Sequence, residues 1–293
     1  MEPTLRDWIE TEALPGRRLT TERTLTGGYS NDNVLITTDD DRRFVVRRYL
    51  GANRCAVEAA LARRLAGVIP VPEVVAADES GKQAGEPVLL SVFAEGAPVS
   101  EDPAHGRDVG LVLARLGGVT FGAPGFFADG TLEPDGIEPT MGLDLFVDRC
   151  LREGNAHGHL SPAEQDALRR YAEEATPRLA VLAGSRRLVH SDYNPKNILA
   201  VGERVTAVLD FEYAFSSTPL VDVGNMLRFP RRPGFVESFL AGFRDGGGEL
   251  PPDWRELSRA LDLFALADFL TRPVGHRYFG RAVERIRALL AGR

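Results

Sequence analysis

Residues 188–212 carry the side chains whose types and order could do chemistry. Leu188-Val-His-Ser-Asp-Tyr-Asn-Pro-Lys-Asn-Ile-Leu-Ala200 is followed by Val208-Leu-Asp-Phe-Glu212, which sets His190, Asp192, Asn197 and Asp210 between apolar runs. Phosphoryl transfer needs a carboxylate beside the attacking hydroxyl and hard oxygen donors for Mg²⁺ at the phosphates. Asp192 suits the first requirement, and Asn197 with Asp210 suits the second. A turn between two buried strands with incidental polar residues is the structural alternative. It would need the apolar runs, the polar order and the gap to Asp210 to coincide.

Such residues need elements that hold one loop against another. After a short helix, Thr24 to Thr38 has strand character on both sides of a Gly27-Gly28 turn, and Arg42 to Tyr49 reads as a second strand. Asp39-Asp40-Asp41 is the charged turn between them. Arg54 to Ala66 is expected to be helical, because Val57, Leu61 and Leu65 recur on one face and Gly67 stands where a cap belongs. Two more apolar runs, Val71 to Ala77 and Pro87 to Phe93, lead to a Gly/Pro-rich joint at Glu95-Gly-Ala-Pro98. Hairpin, helix and strands in that order imply a small sheet lobe.

From Asp102 the pattern turns helical, with Val109, Val112, Leu113 and Leu116 on one face. Ser161-Pro162-Ala163-Glu164 is a capping box with Pro at the first helical position. Asp253-Trp254-Arg255-Glu256 predicts a helix start of the same kind, and Pro124 to Pro139 is expected to be irregular. The chain has no internal repeat.

Composition narrows the classes further. The 293 residues are 43% hydrophobic and 26% charged, as in ordinary globular proteins, and are enough for one large core or two modest lobes. A formal net charge of -7 gives no support to nucleic-acid or anionic-membrane partners. Lys82 and Lys196 are the only lysines, which reads as compositional bias rather than a functional signal. Cys55 and Cys150 make no C-x-x-C pair, so neither a disulfide framework nor a zinc site is expected. Met1-Glu-Pro-Thr-Leu-Arg-Asp-Trp8 lacks the layout of a signal peptide, and no apolar run has the length of a membrane span. The expected location is the cytoplasm, and the oligomeric state is left open.

Taken together, these residues resemble the aminoglycoside phosphotransferase-like kinases, a superfamily that includes choline kinase. The resemblance runs from about Thr24 to the last helices and is closest at residues 188–212. It implies an α+β, two-lobe, protein-kinase-like fold, with a small β-rich N-lobe over residues 1–94 and a larger helical C-lobe over 95–293. It also implies ATP or GTP as phosphoryl donor, with Mg²⁺. Leu25-Thr-Gly-Gly-Tyr-Ser-Asn31 then looks like the phosphate-covering turn, where Gly27 and Gly28 let backbone N–H groups approach and Ser30 adds a hydroxyl. Arg47 stands where a kinase strand usually has Lys, and Glu58 on the next helix is the ion-pair partner that would aim it. An exposed strand-edge charge is the bland reading of Arg47. By position, Ser91, Val92 and Ala94 correspond to the hinge that meets the purine edge. Asp222 corresponds to a residue tethering the catalytic loop, and His190 reads as structural.

Two departures bear on the acceptor. Gly117 stands where the family often has His, and the last helix reads Arg277, Arg281, Arg285, Arg287, Arg293 where polycation-binding relatives place carboxylates. The acids that could face an acceptor, Glu212, Asp262 and Asp268, are scattered, and pairing with a nearby Arg is the alternative for the latter two. The expected activity is phosphorylation of a hydroxyl on a small molecule, above all an antibiotic of aminoglycoside, macrolide, peptide or nucleoside type. A metabolic kinase acting on choline, homoserine or a sugar is the near rival. A catalytically silent nucleotide-binding regulator is the rival of another class.

Overall fold

The computed structural model describes residues 1–25 and 31–292. Helix α1 (Pro3–Trp8) runs into a π-helical turn at Ile9–Ala13. Strands β1 (Leu19–Leu25), β2 (Asn31–Thr38) and β3 (Arg43–Tyr49), helix α2 (Cys55–Leu65), and strands β4 (Val74–Asp78) and β5 (Val88–Val92) follow. The strands form one antiparallel sheet in the order β1-β2-β3-β5-β4. Side-chain alternation gives this sheet two different faces. Val34, Ile36, Phe44, Val46, Val88 and Leu90 bury against Leu5, Trp8 and Ile9 of the N-terminal helix. On the other face Tyr49 and Leu89 meet Cys55 and Ala59 of α2.

The remainder is mostly helical. It comprises β6 (Ala97–Pro98), α3 (Pro103–Leu116), β7 (Gly125–Phe126), α4 (Leu143–Glu153), α5 (Pro162–Leu179), β8 (Arg187–Val189), β9 (Ile198–Val201), β10 (Arg204–Val208), β11 (Phe215–Ser217), α6 (Leu220–Leu227), α7 (Pro233–Asp245), α8 (Trp254–Phe269) and α9 (Arg277–Ala291). Two three-stranded sheets, β10-β9-β6 and β7-β11-β8, carry the loops on either side of Asp192. The same face of α2 that the sequence marks as apolar (Val57, Leu61 and Leu65) buries into the helical core, so α2 couples that core to the sheet. The α3–α7 pair packs very closely. A Cβ on Gly110 would lie 2.1 Å from the Phe239 carbonyl oxygen, and one on Gly242 would lie 2.0 Å from that of Arg107. Only glycine fits there.

The α+β class and the order of sheet before helices follow the sequence reading, with three local differences. The run expected from Val71 starts pairing only at Val74, because Pro70 and Pro72 lack the N–H a ladder needs. The joint at 95–98 is not wholly irregular, since Ala97 and Pro98 pair with Ala200 and Leu199 at a sheet edge, where proline is tolerated. Ser161 makes its capping box with Glu164, whereas Asp253 precedes α8 without a side-chain cap hydrogen bond. The segment Pro124 to Pro139 contributes only β7 to regular structure.

Candidate active site

Between β8 and β9 the chain makes a tight loop whose shape is imposed from three sides. Asp222, fully buried near the start of α6, accepts hydrogen bonds from the His190 N–H and the Ser191 N–H, each at 2.8 Å. Burial raises the Asp222 carboxyl to about 7, although both backbone donors favour its charged form. Tyr193, also fully buried, donates its hydroxyl to the Val109 carbonyl at 2.8 Å and so pins the loop to α3. His190 Nε2 lies 2.8 Å from the Leu209 carbonyl, and His190 Nδ1 lies 3.2 Å from the Asp192 N–H. A neutral ring protonated at Nε2 satisfies both contacts, and burial lowers its pKa in agreement with that state. The ring also packs 4.5 Å from Phe211, which fastens this loop to the one carrying Asp210.

Strain marks both loops. Ser191 has φ +73° and Asp210 φ +72°, left-handed values that cost a non-glycine residue about 1–3 kcal/mol. Asp222 holds the first residue in place through its N–H, and the His190–Leu209 and Leu209–Asn197 bonds fix the residue before the second.

Asp192 is partly exposed and surrounded by donors. Asn194 Nδ2 donates to its Oδ1 at 2.7 Å, Asn197 Nδ2 to its Oδ2 at 2.9 Å, and Lys196 Nζ lies 3.1 Å from Oδ2. Burial works against the Lys196 charge, but Asp192, Tyr278 and Asp210 together outweigh it and the ammonium pKa is raised. Because the Asn197 nitrogen is committed to Asp192, its carbonyl oxygen is the atom left for a cation.

Opposite this loop, β3 presents Arg47. The register places it between Asn33 of β2 and Leu89 of β5. Its Nη2 lies 2.6 Å from Asp210 Oδ1 and 3.7 Å from Glu212 Oε2. Its Nε lies 2.8 Å from Glu58 Oε2, a charge contact whose N–H is not aimed as a hydrogen bond. Burial opposes the guanidinium charge, yet Glu58 and then Asp210 more than compensate, so its pKa is raised. Glu58 is deeply buried, and burial pushes its carboxyl up to about 7 despite Arg47 and a hydrogen bond from the Tyr49 hydroxyl. Burial raises the Glu212 pKa as well, and the Asp210 charge adds to the effect. Three carboxyl groups thus crowd one guanidinium. Of the residues here, Asn197 and Asp210 are the ones that would hold a divalent cation. Among the described residues no set of three or more His, Cys, Asp or Glu could cage a metal, so phosphate and water would supply the other ligands.

The remaining expected site residues are dispersed. Ser91 pairs with Val45 and Val74 within the sheet, the Val92 N–H donates to the Glu73 carbonyl, and Ala94 follows β5 on the way to β6. Gly27, Gly28 and Ser30 lie outside the described residues. Glu212, read as an acceptor-side acid, sits with Arg47 and accepts from Asn31 Nδ2 at 2.8 Å. Asp262 is buried against Arg228, and Asp268 is paired with Arg272 on the surface. Asn31, Tyr49, Asn194, Lys196 and Arg228 were missed. Lys196 did carry a signal: it is one of two lysines in a chain with 35 Lys and Arg residues, and it lies four positions after Asp192.

The phosphotransferase enzyme family model matches residues 21–259. The chain belongs to that family. Among solved structures it is similar to a thermostable mutant of the aminoglycoside phosphotransferase APH(4)-Ia in its apo form, at 19% identity and a TM-score of 0.71, covering 94% of this chain and 95% of that one. The ternary complex of such a mutant with ADP and hygromycin B gives 19% identity and 0.68, covering 94% of each chain. The macrolide 2′-phosphotransferase MphH from Brachybacterium faecium gives 20% and 0.64, covering 94% and 93%. At these identities the likeness is one of fold. No curated protein matches the chain. Among the described residues no helix is long and apolar enough to cross a membrane.

Proposed function

We propose that this phosphotransferase-family chain transfers the terminal phosphoryl group of ATP or GTP to a hydroxyl of a small molecule. The observation that carries this reading is the convergence on Arg47 of Glu58 at 2.8 Å and Asp210 at 2.6 Å, from a strand, a helix and a loop far apart in sequence. In this reading residues 1–94 form the nucleotide-covering lobe, with Gly27, Gly28 and Ser30 at the phosphates and Ser91, Val92 and Ala94 at the base. Residues 95–293 carry the catalytic loop and the acceptor surface.

Asp192 accepts the proton of the acceptor hydroxyl, oriented by Asn194 and Asn197. Arg47 would hold the α/β-phosphates, and Lys196 places positive charge beside Asp192. Mg²⁺ at Asn197 and Asp210 would neutralise charge on the phosphates. The work of the protein is positioning and charge stabilisation.

The acceptor is a molecule of low positive charge bearing a sugar-like or nucleoside-like hydroxyl, with an antibiotic as the favoured class. Asp262 and Asp268, two of the acids that could have met a polycation, are already neutralised by Arg228 and Arg272. The test is a panel of antibiotics, choline, homoserine and sugars assayed with labelled ATP and GTP at fixed ionic strength. Neutral or weakly charged acceptors should show the higher kcat/KM. Efficient turnover of several aminoglycosides, with KM rising steeply with salt, refutes the acceptor assignment. No transfer to any acceptor, together with no nucleotide binding, refutes the activity.

A further inference from the structure

Between the C-terminal end of α6 and helices α8 and α9 lies a cavity of about 200 Å³. Its wall holds Arg228, Arg231, Arg255, Arg259 and Arg285, with Asp262 as its single carboxylate. Asp192, Asn197 and Asp210 are not among the residues that line it. In a chain of net charge -7, such an excess of arginine in one place needs an account.

Two of the five guanidiniums are neutralised. Arg228 forks onto Asp262, with Nη2 to Oδ1 at 2.8 Å and Nε to Oδ1 at 2.9 Å. Arg231 pairs with Glu101, outside the wall, at 3.1 Å. The other three have no carboxylate within ion-pair distance among the described residues, and Arg255 lies over the Trp254 ring at 4.6 Å. Arg285 is partly buried, and loss of water lowers its pKa; the attraction of Asp262 exceeds the like charge of Arg259 but does not offset the burial. Three guanidiniums without a carboxylate partner, around a space large enough for a small group, match the fork geometry by which arginine binds oxyanions.

We propose that this cavity binds the oxyanion group of a small molecule, a phosphate or a carboxylate. The site is separate from the phosphoryl-transfer centre but joined to it by packed side chains. Arg228 lies over the Phe269 ring at 5.6 Å, Phe269 stacks on Tyr278 at 5.1 Å, and the Tyr278 ring is 5.7 Å from Lys196 Nζ beside Asp192. The anion has two possible sources, the far end of the acceptor itself or a distinct anionic ligand.

The test is calorimetry with inorganic phosphate and with citrate, chloride being adjusted to hold ionic strength constant. Expected is saturable binding of at least one probe, weakened about tenfold or more in Arg259→Gln/Arg285→Gln. Arg259 is exposed, so Arg259→Gln alone keeps the fold and should weaken binding severalfold. Binding that the double variant leaves unchanged belongs to another cation, such as Arg47, and overturns the proposal. So does the absence of binding by both probes up to roughly 20 mM. With an acceptor in hand, phosphate that raises its KM at constant kcat assigns the anion to the acceptor, and an unmoved KM assigns it to a separate ligand. Both outcomes keep the site. Binding is read without nucleotide or turnover, so this inference and the phosphotransfer reading can fail independently.

Discussion

Around Arg47 three carboxyl groups face one guanidinium, whereas the cavity wall at Asp262 holds five arginines and one carboxylate. The two clusters draw on the same side-chain chemistry with opposite excess. Near Arg47 the surplus is oxygen, and burial raises the pKa of Glu58 and Glu212. Near Asp262 the surplus is positive, and burial lowers the pKa of Arg285. An isolated buried pair needs no third party, whereas a surplus of one charge leaves groups open to a partner of the other. In the proposed reading the first cluster takes a cation carried with phosphates, and the second an anion.

The largest test of this contrast lies beside the first cluster. Asp192→Asn should lower turnover by roughly 10²–10⁴-fold while leaving nucleotide affinity nearly unchanged, as read by steady-state kinetics and calorimetry. A variant as active as the parent would remove Asp192 from the chemistry.

In the second cluster, Arg228→Ala strands the buried Asp262 carboxylate. The expected loss is about 3 kcal/mol or more in urea unfolding, because removing one partner leaves an uncompensated buried charge. Arg228→Ala/Asp262→Ala should recover part of it. No recovery would mean that packing, not charge, dominates that end of the cavity.

Glu58 offers a sharper view of the oxygen-rich cluster. Its folded pKa of about 7 stands above its ordinary 4.5, so the folded state holds this proton more tightly than the unfolded chain does. The stability from Glu58 is therefore complete below about 4.5 and is lost as pH rises to about 7. Glu58→Gln should flatten the decline over that window by on the order of 2 kcal/mol relative to the parent. Asp222, raised from 3.8 to about 7, keeps its own contribution with the same sign in both proteins. Equal pH slopes for parent and variant would show that Glu58 stays ionised in its pair with Arg47.

The smallest expected effect is on the surface. Asp268 and Arg272 form an exposed i,i+4 pair at 3.0 Å, and Asp268→Ala should change unfolding free energy by less than about 0.5 kcal/mol. A larger change would mean that the acid has a role beyond this pair.

Legibility followed sequence distance. Asp192, Asn197 and Asp210 stand out in the sequence because their types and spacing sit within one short segment, and Glu58 because the family resemblance puts an acid on the helix after the Arg47 strand, where the ion pair is found. Asn31 and Arg228 do not. Asn31 meets Glu212 across 181 positions, and Arg228 meets Asp262 across 34, with nothing local to mark either pairing. Lys196 was passed over although its neighbourhood was read, since a lysine within a loop shows its charge but not its direction.

By itself the sequence determined the α+β class, the order of sheet before helices, the capping box at Ser161 and the spacing of the polar side chains at 190–212. Each depends on neighbours a few residues apart, where periodicity and turn propensity act. Only the tertiary structure decided which charges are neutralised. It turned Glu212 toward Arg47, closed Asp262 against Arg228, and left Arg255, Arg259 and Arg285 around a cavity. The energy of a charge depends on its burial and on what lies within a few ångströms, and both are set by packing between segments far apart in the chain.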